Sequence, residues 1–114
     1  MIIPKYNEIM LPMLQNIANQ KNHSYENINE FLIKHFKLTN EDISKLTPKG
    51  NKRIFDNRVQ WARFYLTKSG LMENSKRNSK ITKEGTSFLK KHPDSFNKTT
   101  LLEIPQFAEY MKKA

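Results

Sequence analysis

Lys52-Arg53-Ile54-Phe55-Asp56-Asn57-Arg58-Val59-Gln60-Trp61-Ala62-Arg63-Phe64-Tyr65-Leu66-Thr67-Lys68-Ser69-Gly70 is the stretch on which the fold turns. At about 100° per residue, Phe55, Val59, Ala62 and Leu66 fall within roughly 60° of one another and mark a buried stripe. Arg53, Asn57, Gln60 and Phe64 point the opposite way. The stretch therefore predicts one helix over about residues 52–69, buried on one side and polar on the other. Gly70 suits the position just past its end, where a left-handed backbone is needed.

Downstream, Leu71-Met72-Glu73-Asn74 and Lys80-Ile81-Thr82 flank Ser75-Lys76-Arg77-Asn78-Ser79, which reads as a short β-hairpin with a basic tip. Thr82 then caps a helix that carries Phe88 and Leu89 and ends at His92-Pro93. Upstream, Ile9, Met13 and Ile17 repeat every fourth residue, beside Met10 and Leu14, and predict a first helix from Pro4 to about Asn19. The polar run 19–23 ends it. Ser24 caps a second helix with Ile28, Phe31, Leu32 and Phe36 on its apolar face. Thr39 and Asp42 form a capping box that opens a short helix bearing Ile43 and Leu46. Thr47-Pro48-Lys49-Gly50 stops it.

Helix, helix, short helix, long basic helix, hairpin, helix is the order of a mainly α, α+β fold. It predicts a winged helix-turn-helix with a short helix inserted before the recognition helix and a two-stranded wing. A lone hairpin is marginal in water, so its strands must lean on the helical core. Residues 1–92 are read as this winged-helix DNA-binding domain. Residues 93–114 are read as a C-terminal helical extension, or the start of a linker packed on it, with Leu101, Leu102, Ile104, Phe107 and Tyr110 available for packing.

The chain has 114 residues and a net charge of +9. Residues 1–48 and 93–114 are each neutral, whereas residues 49–92 hold twelve basic and three acidic side chains. A Lys-rich solvated surface would account for a basic chain. A single basic block between neutral flanks is what phosphate recognition requires. The chain has no cysteine, which excludes disulfides, zinc-thiolate sites and thiol nucleophiles. No apolar run approaches the ~20 residues of a membrane span. No leader pattern opens Met1-Ile2-Ile3-Pro4-Lys5, so a cytoplasmic location is expected.

Ile3-Pro4-Lys5-Tyr6 with Ile9-Met10-Leu11-Pro12, then Phe55-Asp56-Asn57-Arg58-Val59-Gln60-Trp61-Ala62-Arg63, Tyr65-Leu66-Thr67-Lys68-Ser69-Gly70-Leu71 and Ile81-Thr82-Lys83-Glu84-Gly85 resemble the N-terminal domain of Mrr-like restriction endonucleases. The resemblance covers roughly residues 3–92. It implies a winged-helix DNA reader placed ahead of a PD-(D/E)xK nuclease domain, in a system that cleaves foreign or modified DNA. Where family members often carry Gly and a bulky aromatic in the wing, this chain has Asn78, Ser79 and Lys80.

No lysine has Asp or Glu two positions before it, so the [DE]-x-K half of such a nuclease site is missing and this chain is expected not to cut DNA. His23, His35 and His92 have no metal-ligand spacing, and the three glycines are too far apart for a phosphate loop. No metal or cofactor is expected. A recognition helix reads bases through its N-terminal half. Arg53, Asn57 and Gln60 are the expected base contacts, since Arg suits guanine and Asn or Gln suits adenine. Lys49, Asn51, Lys52 and Arg63 are expected on phosphates, and Lys76, Arg77, Asn78 and Lys80 of the wing on the adjacent backbone or minor groove.

Arg58 either joins this set or forms an ion pair with Glu73 or Asp56. Asp56 and Asn57 could instead cap the turn after Gly50. Trp61 and Tyr65 read as core rather than as stacking platforms. Phe64 points away from the core, toward the C-terminal tail, a second subunit or DNA. The expected partner is double-stranded DNA, modified or not. A homodimer and a covalently linked nuclease domain remain open, as do a protein-interaction winged helix and a free-standing transcriptional regulator.

Overall fold

The computed structural model describes residues 3–114; the opening residues Met1 and Ile2, part of the leader reading, lie outside them. The elements are α1 (Tyr6–Asn16), β1 (His23–Ser24), α2 (Tyr25–His35), α3 (Asn40–Ser44), α4 (Ile54–Lys68), β2 (Met72–Ser75), β3 (Asn78–Ile81), α5 (Lys83–Lys91), α6 (Lys98–Leu101) and α7 (Pro105–Lys113). The fold is mainly helical with one small antiparallel sheet, an α+β arrangement.

Phe55, Val59, Ala62 and Leu66 of α4 are all buried, as the periodicity requires. They pack with Ile9, Met10, Met13 and Leu14 of α1 and with Ile28 and Leu32 of α2 in one hydrophobic core. Leu101 and Phe107 belong to the same core, so the C-terminal segment is part of the packed body. Pro105 opens α7, where its missing N–H costs nothing. Pro4 does not enter α1; it precedes the N-cap residue Lys5, whose backbone N–H donates to the Glu8 carboxylate at 2.9 Å.

The caps behave as chemistry dictates. Ser24 Oγ accepts from the Asn27 N–H at 3.1 Å, and the Thr39–Asp42 box closes in both directions. Gly70, with φ +81°, ends α4: its N–H donates to the Thr67 carbonyl, and the Leu71 N–H donates to the Leu66 carbonyl at 3.0 Å.

The sheet has three strands, not the two expected, in the order β1-β3-β2. His23 lies opposite Ser79 and Ser24 opposite Asn78, so the last residue of the polar run 19–23 and the cap residue after it form an edge strand. The turn is also shorter than expected. Lys76 and Arg77 alone form it, and Asn78 and Lys80 lie within β3. Helix α4 starts later, too. Residues 45–54 form a bridged loop in which Thr47 N–H donates to the Lys52 carbonyl at 2.8 Å and Ile54 N–H to the Lys45 carbonyl at 2.9 Å. Arg53 is therefore the extended N-cap residue of α4 and Lys52 lies ahead of it. The same bridge pairs Leu46 with Arg53 and leaves Leu46 53% exposed, outside the core.

Leu71 joins three elements. Its N–H closes α4, its carbonyl accepts from the Thr82 N–H at 3.1 Å, and Gly85 of α5 packs against that carbonyl. Thr82 Oγ1 also donates to the Gly70 carbonyl at 2.6 Å and accepts from the Gly85 N–H at 2.9 Å. A Cβ at Gly85 would overlap the Leu71 carbonyl oxygen and lie 2.7 Å from Ile81 Cγ1. Backbone cannot yield cheaply. Gly85→Ala is expected to cost about 2–3 kcal/mol or more by overpacking, seen as a lower midpoint in denaturant at unchanged m. Gly50→Ala, in open space but at φ +71°, should cost about 1 kcal/mol through its left-handed backbone. Equal stability of Gly85→Ala and the parent chain would refute this account of the joint.

Candidate nucleic-acid interface

Two faces of α4 remain outside the core, and they differ. One turns toward α2 and the hairpin. There the Arg63 guanidinium stacks on the Tyr25 ring, 3.8 Å from its centroid, and the Arg77 guanidinium lies 5.2 Å from the same centroid. Tyr25 N–H donates to the Arg77 carbonyl at 2.9 Å, so the hairpin turn is tied to the start of α2. Arg77 also reaches Glu26 at 3.4 Å, an exposed pair that contributes little.

Arg63 is half-buried. Burial pulls its pKa below the ordinary guanidinium value, and the nearby Arg77 charge adds to that direction. It stays protonated at neutral pH because arginine starts so high. Its Nε and the Asn29 Oδ1 are both buried without a hydrogen-bond partner. With Tyr25, Gln60, Asp56 and Arg77 they line a cleft of about 230 Å³. Two converging cations and an unused buried donor suit an anionic oxygen, with Asp56 in the lining limiting how much negative charge the cleft accepts.

The other face, Asn57, Gln60, Trp61 and Phe64, carries amides and exposed rings. Trp61 is 47% exposed and Phe64 39%. The placement of Trp61 in the core is thus corrected: it lies across the helix edge, stacked on half-buried Tyr65 at 5.8 Å. Phe64 meets the C-terminal helix through Tyr110 at 6.2 Å, so the tail is one of its neighbours, and the rest of the ring stays exposed.

Of the remaining candidates, Arg53 and Lys52 are exposed where the loop enters α4, and Lys49 and Asn51 lie in the turn before them. Thr47 Oγ1 donates to Asn51 Oδ1 at 3.3 Å, so the Asn51 side chain is partly committed to its own turn. Lys76 is exposed at the hairpin tip. Asn78 donates from Nδ2 to the Lys76 carbonyl at 3.0 Å and so braces the turn. Lys80 points elsewhere, into a depression it shares with Glu73 and Lys83. Arg58 forms neither expected ion pair. Its Nη1 donates to the Ile3 carbonyl at 2.7 Å and clamps the N-terminal segment to α4. The turn after Gly50 is closed by its own Gly50 N–H to the Thr47 carbonyl, not by Asp56 or Asn57.

The hairpin holds its angle to α4 through a polar relay. Thr67 Oγ1 donates to the Arg63 carbonyl at 2.7 Å, Asn74 Nδ2 donates to Thr67 Oγ1 at 2.8 Å, and Ser79 Oγ donates to Asn74 Oδ1 at 2.6 Å. Ser79 is fully buried. Tyr25 and Asn29 were not legible as site residues, because their role depends on where β3 brings Arg77, a long-range placement with no local sequence signal.

A family model described as the Mrr N-terminal domain matches residues 6–91, the span from α1 through α5. No curated protein and no solved structure matches the chain significantly.

The relay makes a local, checkable demand. Asn74→Ala strands the buried Ser79 hydroxyl and should cost about 1–3 kcal/mol. Amide hydrogen exchange should accelerate chiefly in residues 72–81. Acceleration spread evenly over the chain, or none, would show that the hairpin is held by other means.

Proposed function

The chain belongs to the Mrr N-terminal domain family, and from that membership we propose that it binds double-stranded DNA as the target-recognition module of a restriction system. The observation that carries this reading is the placement of charge. The whole excess of +9 falls between residues 49 and 92. Within that block, α4 and the hairpin turn each send an arginine to one shared ring.

The reading of the fold as a winged helix is supported by element order. β1 falls between α1 and α2, α4 leads directly into β2 and β3, and β3 lies between the other two strands. α3 is then the insertion ahead of the recognition helix. In this reading the start of α4 enters the major groove with Arg53, Asn57 and Gln60 toward base edges. Lys49, Lys52 and Arg63 neutralise phosphates, and Lys76 and Arg77 reach the neighbouring backbone or minor groove. Cleavage would fall to a separate nuclease domain, because this sequence holds no [DE]-x-K pair. None of the helices among the described residues is long and apolar enough to cross a membrane.

Duplex binding should fall steeply with salt. For about six to eight neutralised phosphates the log–log slope lies near −5 to −7. The triple Lys52→Glu, Arg53→Glu and Lys76→Glu changes exposed side chains only. It should abolish binding while leaving the circular dichroism spectrum and melting midpoint nearly unchanged. Salt-insensitive affinity, or full binding by the folded triple variant, would overturn the proposal.

A further inference from the structure

Asn57, Gln60, Trp61 and Phe64 follow one another at helical spacing along the exposed side of α4, and with Lys52 they line a cleft of about 340 Å³. Its walls are two aromatic rings set nearly at right angles, 82° apart with centroids 5.8 Å from each other. The corner is braced from behind. Trp61 stacks on Tyr65, which rests against Tyr6 at 5.3 Å and Phe107 at 6.0 Å, and Phe64 abuts Tyr110. Phe107 is fully buried, so this chain of rings reaches into the core. Two adjoining exposed rings packed in this way need a reason.

We propose that this cleft receives a single nucleobase that is not paired in the duplex; the inference rests on the DNA-binding reading above. A base is flat, so it stacks on one ring while the second ring closes its edge. Its polar edge needs paired donors and acceptors, and the primary amides of Asn57 and Gln60 each offer both. Its phosphate needs a cation, which Lys52 of the lining supplies. The five lining residues include no acid. An apolar protein side chain would use the rings and leave two amides and a lysine without partners. A base within an intact helix keeps its faces stacked on its neighbours. The occupant is therefore a base already unpaired or extruded, least costly at a bulge or mismatch.

Trp61 is the sole tryptophan of the chain, so its fluorescence reports on this cleft directly. The full chain is titrated with a paired duplex, with the same duplex carrying one bulged nucleotide, and with the bulge as 2-aminopurine. The bulged duplex should bind about tenfold more tightly, as one base–aromatic stack allows, and should quench Trp61 more deeply than the paired duplex does. Phe64→Ala and, separately, Trp61→Ala should remove the preference yet keep paired-duplex binding, with folding checked by circular dichroism; 2-aminopurine quenching covers the variant without tryptophan. Equal affinity for bulged and paired duplex with an unchanged Trp61 signal would overturn the inference and leave the DNA-binding reading standing. Failure to bind any duplex would overturn both. A Trp61 signal that responds to protein concentration and not to DNA would assign the corner to protein contact instead.

Discussion

One side of α4 is committed to the core, and that commitment dictates what the rest of the molecule exposes. Phe55, Val59, Ala62 and Leu66 are buried against α1 and α2. Fully burying one such aliphatic or aromatic side chain is worth about 1.5–3 kcal/mol, so no rotation of α4 about its axis is affordable. The remaining circumference has two outlets. Residues on one flank meet α2 and the hairpin, where Arg63 lies over Tyr25; those on the other meet the C-terminal helix, where Phe64 touches Tyr110. Gln60 lies between them and lines both clefts.

The hairpin follows α4 with no free linker. Leu71 ends one element and starts the next, and the contact of its carbonyl with Gly85 fixes α5 as well. Thr67, Asn74 and Ser79 add a second tie one strand further out. The pairing of β1 with β3 adds a third, on the edge opposite β2. The angle between helix and turn is therefore set by hydrogen bonds at both ends of the hairpin. Surface ion pairs contribute little to it, since Arg77–Glu26 is exposed on both sides.

Where local chemistry decides, the sequence was readable. The stripe of α4, the caps at Ser24, Thr39 and Thr82, and the left-handed Gly70 all follow from neighbours a few residues away. What could not be read depends on distant partners. β1 is two polar residues with no strand propensity, and it exists because β3 offers an open edge. Arg58 finds the Ile3 carbonyl across 55 residues of chain. Trp61 is amphipathic enough to suit either side of a helix, and Tyr65 occupies the inner position. Within the candidate site, Gln60 was legible from helical phase and Arg63 from its place in the basic block, whereas Tyr25 and Asn29 join it only through tertiary packing. Lys80 was grouped with Lys76 and Arg77 as a wing contact, but as a strand residue it lines a depression shared with Glu73 and Lys83.

The turn between β2 and β3 sets two requirements against each other. Lys76 and Arg77 both adopt positive φ, 51° and 62°, a geometry that costs about 1–2 kcal/mol per residue with a β-carbon and that Asn-Gly would satisfy at ease. Relaxing the backbone there would remove two positive charges from the outermost point of the sheet. Any variant library screened for thermal resistance alone would therefore tend to discharge this tip first. Thermostability and cationic reach compete for the same two residues.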